Sequence, residues 1–165
     1  MSGRSRRCTI AVLMVAAWAV AGVSTPVAAD STESCTGEGD FTLTPGLSTS
    51  PTSGTFTTGG DTGTLNCKSG AKGTFGFSGK YGTKDPDSCS SGGEGIATDA
   101  WKFSDGTVND DVEFLYGAFQ GGVLGGSFKG ARSSGTFEVT SIEGDCVSKP
   151  ITKAHVVFKN LVITR

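Results

Sequence analysis

Nothing after residue 30 places apolar residues at helical spacing; short alternating runs are separated instead by Gly, Ser, Asn, Asp and Pro. That pattern restricts the chain to strands and turns. The tripeptide Gly-Thr-Phe recurs at 54–56, 73–75 and 135–137, with Gly-Thr-Leu at 63–65. Each reads as a strand entry, in which Gly leaves a turn, Thr suits a pleated surface and Phe or Leu is the first core anchor. The copies are too unevenly spaced for a solenoid. Alternation predicts strands near 38–44, 53–58, 63–68, 73–81, 94–103, 108–118, 123–130, 135–142 and 152–164. The last run is apolar on both phases, which requires a strand buried on both sides or a change of phase at a bulge. Eight or nine strands at spacings near ten residues predict an all-β fold, a single antiparallel barrel or, alternatively, a β-sandwich. Glycines inside the strands (Gly76, Gly79, Gly117, Gly125, Gly126) favour the barrel, whose corners need tight bends. Residues 45–53 (PGLSTSPTS) read as a long exposed connection.

The N-terminus carries an export signal. Arg4, Arg6 and Arg7 precede an apolar run from Thr9 to Val23, and Val27-Ala28-Ala29 supplies the small residues of a cleavage site. Residues 1–29 are thus expected to leave, and residues 30–165 to form one secreted domain. Ser5-Arg6-Arg7 leaves general and twin-arginine export both open. Of the 14 Lys+Arg, three go with the leader, leaving 11 against 16 Asp+Glu. With no basic stripe to neutralise phosphates, nucleic-acid and anionic-membrane partners are disfavoured.

Four cysteines remain after the leader: Cys35, Cys67, Cys89 and Cys146. An even count in an exported chain reads as two disulfides. Their spacing contains no C-x-x-C, and a lone His155 adds no ligand pattern, so no metal is expected. Three connectivities are possible. Cys35–Cys67 with Cys89–Cys146 is favoured, because Cys89 and Cys146 each sit in a loop just before a predicted strand.

The sequence holds no complete catalytic constellation. G-x-S-x-G is absent, and Gly92-Gly93-Glu94-Gly95 lacks the helix and Lys-Ser/Thr of a phosphate loop. The acids from Ser104 to Glu113 do not fit a calcium loop. His155, in an apolar strand, reads as a hydrogen-bonded or surface imidazole. Asp85 and Asp87, around Pro86, read as turn formers.

The stretch DAWKFSDGTVNDDVEFLY, Asp99 to Tyr116, concentrates aromatics and carboxylates. Asp105-Gly106 is the strongest hairpin signal in the chain, and a two-residue loop there would pair Trp101 with Asp110 and Asp99 with Val112. In that register Asp99, Trp101, Phe103, Val108, Asp110, Val112, Phe114 and Tyr116 share one face, while Lys102, Asp111 and Glu113 share the wet one. Asp99 and Asp110 are then the two acids out of place, and Asp99, Trp101, Asp110 and Tyr116 are the candidate ligand-binding residues.

The chain resembles a group of small secreted actinobacterial, Streptomyces-type proteins. The shared features are a Cys soon after the leader, a TLTPGL-like segment (Thr42 to Leu47), the G-T-F/L strands, the hairpin carrying Trp101, Asp105 and Gly106, and the late Asp145-Cys146. The resemblance implies class and compartment and carries no catalytic residue. The expected function is a secreted, monomeric, non-catalytic β-domain without a cofactor, binding a small molecule or an extracellular partner. The alternatives are a protease inhibitor presenting the loop 83–93, an antibiotic-carrier sandwich, and a hydrolase using Asp99 and Asp110.

Overall fold

The computed structural model describes residues 30–120 and 123–165; the leader expected at 1–29 lies outside the described residues. Nine strands form, β1 (Thr32–Leu47), β2 (Gly54–Thr57), β3 (Gly63–Cys67), β4 (Lys72–Tyr81), β5 (Gly93–Phe103), β6 (Val108–Gln120), β7 (Val123–Lys129), β8 (Ser133–Glu143) and β9 (Ile151–Thr164). All pairings are antiparallel; β2 and β3 each pair with β1 and β4, from β3 onward each strand pairs with the next, and β9 returns to β1 to close a barrel. A closed barrel, rather than a sandwich, leaves no free sheet edge.

The ring has eight positions for nine strands. β3 lies against Cys35–Glu38 of β1 and Lys72–Phe75 of β4, whereas β2 lies against Thr42–Thr44 and Ser78–Tyr81 of the same two strands. β2 and β3 therefore follow one another along a single position, interrupted by residues 58–62. The backbone N–H of Thr58 still bonds the Phe77 carbonyl at 3.0 Å, and Lys102 pairs with Asp61 to hold the interruption against the wall.

β1 starts six residues earlier than alternation predicts. Thr32 to Gly37 carry no apolar alternation, yet they pair with the far half of β9 and bring Cys35 opposite Cys67. β9 changes phase as its doubly apolar run requires. Ala154, Val156 and Phe158 point inward, Asn160 takes φ 52°, and Leu161 and Ile163 point inward beyond it. The stretch 45–53 is only partly a connection: β1 runs on to a buried Leu47, and Thr52 is bridged to Asp87.

Inward residues fill one half of the barrel. Phe75, Trp101, Phe128 and Phe158 pack with ring centroids 5.2–5.6 Å apart. The Phe75 ring lies so close to the β3 backbone that a Cβ on Gly63 would sit 2.3 Å from it, which explains the glycine opening that strand. Leu65, Leu161, Ile163 and Phe103 complete this half. It is sealed by Arg165, whose guanidinium lies 4.3 Å from the Phe103 ring centre and pairs with Glu33 and Asp105. The two disulfides, Cys35–Cys67 and Cys89–Cys146, stand at opposite ends of the barrel. The first crosslinks the wall at the sealed end. The second joins the β4–β5 and β8–β9 loops at the other.

Candidate functional site

The β5–β6 hairpin sets the site. Its loop has three residues, Ser104-Asp105-Gly106, not two. Phe103 N–H bonds the Thr107 carbonyl at 2.9 Å, Gly106 N–H bonds the Phe103 carbonyl at 3.0 Å, and Gly106 adopts φ 89°. Such a loop combines a type I turn with a glycine bulge. It slips the register by one residue, pairing Trp101 with Asn109 and Asp99 with Asp111. Because side chains alternate across a strand, every β6 residue changes face. Asn109, Asp111 and Glu113 point inward and are buried, while Val108, Asp110, Val112, Phe114 and Tyr116 point out.

The expected face of β6 is thus corrected. Of the four candidate residues, Asp99 and Trp101 lie inside the barrel. Asp110 and Tyr116 lie on its outer surface, Tyr116 57% exposed. Asp99 and Asp110 share no face, so the pair expected from a two-residue loop does not form.

The half of the barrel away from Arg165 holds a cavity of about 570 Å³, walled by Phe41, Leu43, Phe56, Phe77, Leu115, Phe137, Val139 and Val156. It opens at the end where the β1–β2, β4–β5 and β8–β9 loops meet. Along β5, Gly95, Ala97 and Asp99 line it in turn, and Trp101, one step deeper, does not. Along β6, Leu115 and Glu113 line it and Asp111 does not. Asp99 and Glu113 are therefore the deepest lining residues of both strands. Trp101, with 1% exposure, packs beneath this floor.

The three inward acids differ in their partners. Asp111 is saturated. Its Oδ1 accepts the N–H of Val112 and Ala131 (2.9 and 3.0 Å), and its Oδ2 accepts the N–H of Arg132 and Ser133 (2.8 and 2.9 Å) and the Ser133 hydroxyl (2.7 Å). Burial alone would raise its carboxyl. The Ser133 hydroxyl and the backbone N–H groups of Arg132, Ala131 and Val112 outweigh burial and hold it below the usual range. Glu113 Oε1 also contacts the Ser133 hydroxyl. One hydroxyl hydrogen serves one acceptor, so with Ser133 donating to Asp111, the Glu113 carboxyl supplies the proton of the second bond. Burial, aided by the Asp111 charge and opposed by the neighbouring Ser133 hydroxyl and Asp99 carboxyl, pushes Glu113 up to about 7.

Among the described residues Asp99 has no well-aligned hydrogen-bond partner, although the Glu113 carboxyl and the Trp101 indole N–H lie beside it. Asp99 is 3% exposed, and neither carboxyl oxygen makes a well-aligned hydrogen bond; the adjacent Trp101 Nε1 is likewise unpaired. Burial, then the Glu113 and Asp111 carboxyls, push Asp99 up to about 9. At neutral pH the pair of Asp99 and Glu113 keeps at least one proton.

The mouth is also acidic. Asp87, buried beneath it, accepts the Gly82 N–H at 2.9 Å, as a turn former does, and burial raises its carboxyl. Asp145 is held far below the usual range by the Ser148 hydroxyl and the N–H groups of Lys149, Ser148 and Val147. These bonds shape the turn that carries Cys146. Among the described residues lining the cavity there are carboxylates at Asp87, Glu94, Asp99, Glu113 and Asp145, and no Lys, Arg or His.

Elsewhere, Glu33 lies beside Cys35 and Cys67, but both sulfurs are committed to their disulfide. His155 Nδ1 lies 2.8 Å from Asp40 Oδ1 on the barrel surface. Sequence reasoning missed Glu113 and Asp111 as interior groups. The signal that finds them is the SDG loop, which encodes a three-residue turn as readily as a two-residue one.

The fold and cavity define an eight-position up-and-down barrel with one sealed and one open end. Comparison with known proteins finds no matching family model, no matching curated protein and no matching solved structure.

Proposed function

We propose that the chain is an exported, non-catalytic carrier whose barrel holds one small, mostly apolar molecule. The observation that carries this reading is the cavity: about 570 Å³, apolar in its walls, polar only at its floor and mouth. Ligand sites typically measure roughly 300–1,000 Å³ and combine apolar walls with a few placed polar groups. A barrel of eight strands encloses room for side chains or one small ligand. Here the aromatic half takes the first option and the open half the second.

The inhibitor alternative receives less support. Asp87, Ser88 and Cys89, at the centre of the loop 83–93, are buried against the mouth, with Asp87 and Thr52 exchanging two 2.8 Å backbone bonds. An inhibitory loop needs those positions exposed.

Native mass spectrometry of the protein purified from its own culture medium tests the carrier reading. A non-covalent companion of a few hundred daltons, lost on denaturation, is the expected result. In an Ala97→Leu variant, which narrows the cavity, the companion should be reduced severalfold. A bare wild-type mass, together with no uptake of an apolar environment-sensitive dye, would overturn the reading.

A further inference from the structure

We infer that the carried molecule is an organic cation, a protonated amine on an apolar body, whose N–H groups bond Asp99 and Glu113 at the cavity floor. This deepens the carrier reading and rests on it. Three observations carry it. Asp99 is buried, lines the cavity and leaves both oxygens without a well-aligned hydrogen bond among the described residues. Buried polar groups are nearly always bonded, and an orphan pair of oxygens marks the place of a missing donor. The described lining holds five carboxyl groups and no basic side chain, and of these only Glu94 has a cation near it, Lys84 at 4.0 Å from outside the lining. A neutral guest leaves the pair to hold its proton, an anion would repel the carboxylates that remain, and a cation alone can take the place of that proton. Finally, Phe77 stands opposite Asp99 on β4 and Phe41, Phe56 and Phe158 line the same cavity, and ring faces attract cations.

A bare metal ion fits less well. Calcium takes six to eight oxygens, and Asp111, the third acid, already spends its oxygens on the β7–β8 turn. The groups facing Asp99 are Phe77 on β4, Asp111 and Glu113 on β6, and Phe158 across the cavity, with no cation among them. The incoming ammonium therefore replaces a proton. As R–NH3+ binds, a carboxyl of the pair releases one H+ to solvent, and charge is conserved within the site.

The test is calorimetric titration of the mature, disulfide-bonded protein with three probes of one shape: 2-(1-naphthyl)ethylamine, the corresponding alcohol, and 1-naphthylacetate. The amine is expected to bind at least tenfold more tightly than either other probe at pH 7.5. Repeating the titration in buffers of different ionisation enthalpy should show close to one proton released per amine. Asp99→Asn and, separately, Glu113→Gln should each weaken the amine tenfold or more. The alcohol should bind both variants as it binds the wild type. If the alcohol or the acid binds as tightly as the amine, the cation inference falls while the carrier reading stands. Displacement of the amine by 1 mM CaCl2 would make the floor a metal site and also overturn it. If no probe binds, the carrier reading falls as well. Should either variant fail to fold, the wild-type ranking and proton count still decide.

Discussion

A buried carboxyl without a well-aligned partner leaves a signature in stability. Asp99 has a folded value of about 9 against an ordinary 3.8, so the folded chain keeps a proton that the unfolded chain has lost. Folding then binds protons between those values, and stability falls as pH rises from about 4 towards 9. Glu113 adds to the fall over the lower part of that range. Asp99→Asn, which has no proton to lose, should flatten the decline between pH 7 and 9. At pH 9 it should exceed the wild type by on the order of 2 kcal/mol in urea denaturation. Unchanged slopes would mean that Asp99 is not buried. Of this site the sequence displays Asp99 plainly, since Trp101 and Phe103 share its phase on β5 whatever the hairpin does. It hides Glu113, because acidity alone assigns a residue to the wet face.

At the scale of the element, the hairpin decides between two barrels. Alternation and turn residues locate all nine strands, most ends falling within two residues of the observed ones, because Gly-Thr-Phe entries and Gly-rich turns act locally. Register depends on one residue of loop length, and SDGT accommodates both lengths. Gathering the aromatics on one face selects the two-residue loop. The folded hairpin instead leaves Val108, Val112, Phe114 and Tyr116 50–69% exposed and turns the acids inward. Phe114→Ser separates the alternatives. With Phe114 outside, urea denaturation should show a change within about 0.5 kcal/mol. An inward Phe would cost about 3–5 kcal/mol.

For the whole molecule, sealed base and open mouth divide the labour of the two disulfides. Cys35–Cys67 links strands that already pair residue for residue. Cys89–Cys146 ties the β8–β9 loop to the β4–β5 loop, which itself meets the β1–β2 loop through the bond from Cys89 N–H to the Ser48 carbonyl at 3.1 Å. Replacing Cys89 and Cys146 together by Ser should lower unfolding stability by about 3–4 kcal/mol, read from the denaturant midpoint. Dissociation of any bound dye should quicken, because the loops around the mouth lose their crosslink. The two chain ends described meet at the opposite pole, where Ser31 and Arg165 exchange backbone bonds of 3.0 and 2.7 Å. A tether fused at either end therefore grips the barrel by its base. Every copy anchored to a surface in this way would present its mouth to the flowing solution, with nothing in the anchor to obstruct loading.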